Sequence, residues 1–184
     1  MATPRFSILI PTRDRPATFR HTLATVASQS GDDYEIVVAD NCSGPETRRI
    51  VEEIDTRKVR YTRSDEVLPM AINWEHGLQL CSGEYVTVLG DDDGFLPHTL
   101  DMARRVLAST DCEILTWKTH TYWWPDTIVH WLRNTLVVEL ADGAGWIESR
   151  ELLEAFYRDE AGFGALPMIY SAFFHRGVIE EATR

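Results

Sequence analysis

The sequence predicts an α/β fold, a mainly parallel sheet flanked by helices, with a smaller mixed region after it. Three observations carry that expectation. Short apolar, β-rich runs alternate with segments of helical apolar spacing over about the first 110 residues. Prolines and glycines mark the joints between them. Three of the apolar runs end in polar clusters, and a parallel sheet binds its ligands in the crevice beyond the carboxyl ends of its strands.

Phe6-Ser7-Ile8-Leu9-Ile10 reads as a buried strand stopped by Pro11. The polar loop Thr12-Arg13-Asp14-Arg15 follows, and Pro16 suits the first turn of a helix running to about Ser30. Tyr34 to Ala39 is the second strand, ending at Asp40-Asn41-Cys42-Ser43-Gly44. Pro45 opens a helix whose buried face is Ile50, Val51 and Ile54. Val59-Arg60-Tyr61 is a short third strand. Met70 to Cys81 is a helix with Ile72, Leu78 and Leu80 among its apolar positions, closed by Gly83. The fourth strand runs from Glu84 to Leu89 and meets Gly90-Asp91-Asp92-Asp93. A helix from Pro97 to about Ala108 carries Leu100, Ala103, Val106 and Leu107 at helical spacing.

Beyond Asp111 the pattern changes. Glu113 to Trp117 reads as a strand, and Tyr122-Trp123-Trp124-Pro125 is rich in aromatics. Ile128 to Trp131 and Thr135 to Leu140 suit further, antiparallel strands. Glu148 to Tyr157 suits a helix, as does Met168 to Phe174. The expected organisation is one structural domain in two halves, residues 1–110 and 111–184.

At 184 residues the chain can bury a core without disulfide staples. Its formal charge of −11 argues against a nucleic-acid partner, because phosphate-backbone binding rests on clustered Lys and Arg. One anionic nucleotide held through a metal stays open. Cys42, Cys81 and Cys112 are scattered and odd in number, and read as reduced thiols of a cytoplasmic protein. No signal-peptide stretch follows Met1, and no segment reaches the roughly 20 apolar residues that span a bilayer.

The run Asp91-Asp92-Asp93 is the sharpest chemical feature. Three adjacent carboxylates repel one another, and their hard oxygens suit Mg²⁺ or Mn²⁺. A solvated acidic turn before a helix is the plainer reading of the run alone. Its convergence with Thr12-Arg13-Asp14 and Asp40-Asn41 on one crevice favours a metal and a nucleotide.

Three segments together resemble family 2 glycosyltransferases: Ser7 to Arg15, Glu35 to Ser43, and Ser82 to Pro97 with its Gly90-Asp91-Asp92-Asp93-Gly94-Phe95-Leu96-Pro97 ending. The resemblance covers about the first 110 residues, and it implies that residues 1–110 are the nucleotide-sugar and metal-binding half and 111–184 the acceptor-side half. It implies the Rossmann-like GT-A fold, a nucleotide-diphospho-sugar donor, a UDP-sugar by preference, and an inverting transfer. By position it implies that Pro11, Thr12 and Arg13 line the nucleoside pocket and that Asp40 accepts a hydrogen bond from the base. Met70 and Asn73 then border the ribose and diphosphate. Asp91 touches ribose or metal, and Asp92 is the principal metal ligand of the family's Asp-x-Asp motif. The chain departs from the commonest pattern in having Gly90 at that motif's first position, which leaves Asp91 and Asp93 as alternative partners of Asp92.

Inversion also needs a carboxylate that takes the proton of the acceptor hydroxyl. In the family this base follows a segment like Phe173 to Glu180, and this chain ends at Arg184. The base is then an earlier residue, such as Asp126, Glu139 or Asp142, or the chain is a truncated piece of a longer enzyme, the reading we favour. The acceptor class is a glycan or another hydroxyl compound. Tyr122, Trp123, Trp124 and Trp131 suit stacking on an acceptor sugar, core packing or a homodimer interface. A lipid-linked acceptor would add peripheral contact with the inner face of the membrane. His76, His98, His120, His130 and His175 lack paired metal-ligand spacing, and no nucleophile elbow or Gly-rich phosphate loop is present. Two rival classes remain: a non-catalytic nucleotide-sugar-binding or interaction domain, and a sugar-nucleotide nucleotidyltransferase. The second normally carries a Gly- and Arg-rich loop where this chain has Pro11-Thr12-Arg13-Asp14.

Overall fold

The computed structural model describes residues 3–54, 57–138 and 145–182. Strands and helices alternate as β1 (Phe6–Thr12), α1 (Pro16–Ala27), β2 (Tyr34–Asp40), α2 (Pro45–Glu53), β3 (Val59–Arg63), α3 (Met70–Leu80), β4 (Tyr85–Val88) and α4 (Thr99–Ser109). The remainder is β5 (Ile114–Thr116), β6 (Thr121–Tyr122), β7 (Leu136–Val137), α5 (Ser149–Tyr157), β8 (Ala172–His175) and α6 (Arg176–Ala182). Six strands form one sheet in the order β3-β2-β1-β4-β8-β5, in which β8 alone runs antiparallel to its neighbours. The strand order turns back between β1 and β4: the chain moves outward from β1 through β2 to β3, then crosses to the other side of β1. Ligand sites of open α/β sheets form at such a switch point.

The inner parallel strands β1, β2 and β4 are buried and mainly apolar because both faces are covered, whereas the edge strand β3 is part-exposed and carries Arg60 and Arg63. Side chains alternate across the pleat. Phe6, Ile8 and Ile10 of β1, with Ile36 and Val38 of β2, pack against Phe19, Leu23 and Val26 of α1, Ile50 of α2, and Leu100, Ala103 and Leu107 of α4. Leu9, Val37, Val86 and Val88 face the other way, under Trp74, Leu78 and Leu80 of α3 and Ile179 of α6. The fit of α3 depends on Gly77, where a Cβ would lie 2.5 Å from Leu9 Cδ1 and 3.0 Å from Ala39 Cβ. Ser7, a polar residue in the buried β1, is satisfied at both ends: its Oγ donates to Glu35 Oε1 (2.7 Å) and accepts the Gly83 N–H (2.7 Å).

Several boundaries differ from the sequence expectation. Pro11 does not stop β1, which pairs with β2 through Thr12↔Asp40. Pairing with β4 ends at Leu9↔Val88, so the N–H that proline lacks is missing from a free edge. The α1 helix ends at Ala27, not near Ser30. The α4 helix starts at Thr99 because Leu96 to Thr99 close a turn, with Thr99 N–H donating to Leu96 O (3.1 Å). Residues 128–131 form no strand; a single 3₁₀ turn covers His130–Leu132. Of the 135–140 run, residues 139 and 140 lie outside the described residues, and within 135–138 the strand is Leu136–Val137, paired antiparallel with β6. The expected helix from Met168 to Phe174 is instead a turn and then β8. Its Phe173 is fully buried, 5.0 Å from the Phe6 ring and 5.2 Å from the Trp117 ring, a tertiary fit that overrides local propensity.

No helix among the described residues is long and apolar enough to cross a membrane. All three cysteines are free, and burial followed by the Glu35 charge pushes the Cys81 thiol up to about 12.

Candidate nucleotide-sugar and metal site

The carboxyl ends of β1, β2 and β4 bring their loops together, and side chains stitch them. Asn41 N–H donates to Thr12 O (2.9 Å), joining the ends of β1 and β2. Asp14 N–H donates to Ser43 Oγ (2.9 Å), and Asp14 Oδ1 accepts the Gly44 N–H (3.1 Å). Asp14 and Cys42 both adopt positive φ (52° and 62°), a backbone state that non-glycine residues keep only where their surroundings hold it. Asn41 also clamps the approach to α3: its Nδ2 donates to Leu68 O (2.9 Å) and its Oδ1 accepts the Leu68 N–H (2.8 Å).

Thr12 is buried at the end of β1, and its Oγ1 donates to Asp91 Oδ2 at 2.8 Å across the switch point. Asp91 is buried, while Asp92 and Asp93 are exposed. Arg15 Nη1 donates to Asp92 Oδ2 (2.7 Å) and to Asp91 Oδ1 (3.2 Å), so one guanidinium nitrogen bridges two carboxylates. The hydrogen bond to Asp92, then the charges of Asp92 and Asp91, raise the Arg15 pKa above its already high ordinary value. The Arg15 side chain is 56% exposed, and exposed ion pairs contribute only about 0–1 kcal/mol.

Asp93 points elsewhere. Its backbone turns on Gly90, with Asp93 N–H donating to Gly90 O (3.1 Å), and Thr22 of α1 donates to its carbonyl (2.6 Å). Its carboxyl folds back over Gly90, whose missing Cβ would lie 2.7 Å from Asp93 Oδ2 and 3.1 Å from Asp92 Oδ1. Glycine at this position is therefore what lets the acidic loop curl. Although Asp93 is exposed as a residue, this local burial, with the neighbouring Asp92 and Asp91 charges, raises its carboxyl above the ordinary value.

The remaining sequence candidates distribute as follows. Pro11 is buried in β1, and Arg13 is exposed, with Nε 3.9 Å from Asp14 Oδ2. Asp40 is 1% exposed, and its Oδ1 accepts the Ser43 N–H (2.8 Å) while Oδ2 accepts the Tyr61 hydroxyl (2.6 Å). Burial, followed by that hydrogen bond and the Asp40 charge, raises the Tyr61 hydroxyl far above its ordinary 10.0 and keeps it a donor. Met70 stands exposed as the first residue of α3. Asn73 is buried, its Nδ2 donating to Ala39 O (3.0 Å), which fixes α3 beside the end of β2. Asp126 is exposed in the turn after Trp124, whose ring lies 5.6 Å from His21 of α1. Glu139 and Asp142 lie outside the described residues. Of the aromatics, Tyr122 and Trp124 stack edge to face at 5.4 Å, and Trp131 stands out at 81% exposed.

Thr12, Asp91 and Asp92 are thus joined in one network by Arg15, and Asp40 is closed by Tyr61. The sequence assigns no role to either of these two partners. Arg15 has a signal, as a cation directly before a helix-opening proline in a chain with an acidic run; nothing local distinguishes Tyr61. Among the described residues no three carboxylate, imidazole or thiol groups gather closely enough to hold a metal ion unaided. The donor set still suits Mg²⁺ or Mn²⁺, which commonly take one or two carboxylates and complete their shell with substrate phosphates and water.

The profile described as "Glycosyl transferase family 2" matches residues 7–164. The chain is 31% identical over 101 residues to a Campylobacter jejuni protein named GalNAc(5)-diNAcBac-PP-undecaprenol beta-1,3-glucosyltransferase, covering 53% of this chain and 32% of that protein. It shares the fold of S. aureus TarS 1-349, with TM-score 0.69 at 18% identity over 97% of this chain and 49% of that one. TarS has also been solved in complex with UDP-GlcNAc. The mannosyltransferase PcManGT from Pyrobaculum calidifontis, in complex with GDP-Man and Mn²⁺, superposes with TM-score 0.64 at 18% identity over 99% of this chain and 47% of that one. The chain spans less than half the length of each of these proteins.

Proposed function

Because the chain belongs to glycosyl transferase family 2, we propose that it binds a nucleotide-diphospho-sugar, a UDP-sugar by preference, and transfers the sugar with inversion to a glycan hydroxyl. The observation that carries this reading is the network from Thr12 through Asp91 and Arg15 to Asp92, built at the point where the strand order reverses. Such a crevice suits a nucleotide.

Each residue has a part to play. Thr12 orients Asp91 through its hydroxyl, leaving Asp91 Oδ1 turned toward Arg15, which also holds Asp92. Asp92, exposed and beside it, would be the principal metal ligand, with Asp91 assisting and Asp93 held aside over Gly90. A bound Mn²⁺ or Mg²⁺ would act as a Lewis acid on the diphosphate as it leaves. Pro11, Thr12 and Arg13 would border the nucleoside, with Met70 and Asn73 toward the ribose and diphosphate. Contact between Asp40 and the base requires the cover around it to open, since Asp40 is 1% exposed and its two oxygens already face Ser43 and Tyr61. The lipid-linked substrate in the name of the C. jejuni relative makes a lipid-linked glycan the proposed acceptor, which would draw the exposed Ile128 and Trp131 toward a membrane surface. Asp126 is the base candidate within the described residues.

Calorimetric titration of UDP, GDP and dTDP, each with Mn²⁺ and with EDTA, tests the reading. Metal-dependent binding of UDP above the others is the expected result, and incubation with the matching sugar nucleotide should then release its sugar to water or an acceptor. Binding without turnover would favour a donor-binding module. Absence of binding by all three would remove the proposal.

A further inference from the structure

Arg15 sits in an unusual place for a long cation. It immediately precedes Pro16, the first residue of α1, its backbone (φ −124°, ψ 52°) lies outside the helix, and its side chain makes no capping bond. That side chain is turned instead onto the acidic loop 76 and 77 residues away in sequence. The contact is not a two-pronged fork on one carboxylate; a single nitrogen, Nη1, lies 2.7 Å from Asp92 Oδ2 and 3.2 Å from Asp91 Oδ1. Thr12 holds the other oxygen of Asp91 from behind, so the oxygens that converge on Nη1 are set by the fold. Convergence of two carboxylate oxygens from adjacent residues on one positive atom is the arrangement a divalent ion would also seek.

We infer that Arg15 is an exchangeable counter-cation: it holds Asp91 and Asp92 together in the ligand-free protein and gives up that place when a divalent ion arrives with a nucleoside diphosphate, then pairs with the diphosphate. The inference rests on the donor-and-metal reading above. Its physical basis is charge balance. Two adjacent carboxylates without a cation repel each other, and with both Arg15 and a dication at the same oxygens two positive centres would collide. The exposed stem of Arg15 leaves it free to swing, and a guanidinium released beside the crevice meets the diphosphate as its natural partner. The consequence is that metal alone must displace Arg15 without compensation, whereas metal and diphosphate together provide a new partner for it. The two ligands should therefore bind with positive coupling.

The test is Mn²⁺ binding without nucleotide, read from the electron paramagnetic resonance of free Mn²⁺, for the wild-type chain, Arg15→Gln, Arg15→Lys and Asp92→Asn. Arg15→Gln should bind Mn²⁺ about two- to five-fold more tightly, the scale of one exposed ion pair. The same variant should bind UDP at saturating Mn²⁺ about ten-fold more weakly, the scale of one charge-assisted hydrogen bond. Arg15→Lys should keep most of both behaviours. A merely structural arginine would not tighten one ligand while loosening the other. If Asp92→Asn abolishes Mn²⁺ binding while Arg15→Gln leaves it unchanged or weaker, the exchange is overturned and the metal site stands. If Asp92→Asn binds Mn²⁺ as the wild type does, or none of the proteins binds it, the metal reading fails and the exchange falls with it.

Discussion

The segment up to Cys112 and the segment from Glu113 to Ser171 are built on different terms. Among the described residues, every buried hydrophobic side chain belongs to the first segment or to β8, and nothing between Cys112 and Ser171 is buried. The second segment carries Ile128, Trp131 and Tyr157 at 88%, 81% and 83% exposed, and a hairpin of two-residue strands. An isolated two-stranded hairpin is marginal in water, so this region takes its order from contacts such as Trp124 on His21, not from a core of its own. The difference teaches where precision resides. The loops we propose for the donor are held by strands closed on both faces and by buried side-chain bonds, whereas the region we propose for the acceptor presents apolar surface to solvent.

Three substitutions sharpen or break that contrast. The largest effect is expected at Phe173, which belongs to the late part of the sequence but packs on Phe6, Phe95 and Trp117. Phe173→Ala should lose about 3–5 kcal/mol in denaturant unfolding. A loss below about 1 kcal/mol, nearer the scale of surface changes, would mean that β8 is not part of the first segment's core. Next comes Glu35, which takes the hydroxyls of Ser7 and Ser82 (2.7 and 2.8 Å). Burial raises its pKa, but these bonds, the Ser82 amide and the Arg60 charge outweigh it and hold the carboxyl below its ordinary 4.5. Its contribution is therefore present above pH 4.5 and is lost as pH falls through the lowered folded value. Glu35→Ala should cost about 1–3 kcal/mol at pH 7 and flatten the acid limb of stability against pH; an unchanged acid limb would count against Glu35 as its source. The smallest effect is expected at Trp131: Trp131→Ala should stay within about 0.5 kcal/mol of the wild-type stability. A cost near that of Phe173→Ala would show that the exposed region is packed in solution and end the contrast.

The sheet half is legible in the sequence because strands buried on both faces must be apolar throughout, and βαβ crossovers leave a regular spacing of Pro, Gly and helical stripes. The polar residues that interrupt this pattern, Thr12, Asp40 and the acidic run, stand out for the same reason. The late segment is not legible in this way. Ala172 to His175 carries no local signal that separates a strand from a helix, and its state depends on a slot between β4 and β5 that exists only once the sheet has formed. The 128–131 and 135–140 runs read as strands because they are largely apolar, yet none of the described residues 128–138 is buried, so no core holds them in that form.

By itself, then, the sequence determined the α/β class, the order of the first eight elements and the gathering of three polar clusters at one end of the sheet, since periodicity and chain direction are local properties. Tertiary structure alone decided that Arg15 lies between Asp91 and Asp92, that Asp40 is closed off by Tyr61, that Asp93 turns away over Gly90, and that β8 runs antiparallel. Each of these is a contact between residues far apart in sequence, or a turn shaped by what packs beside it, and no local pattern records such a distance.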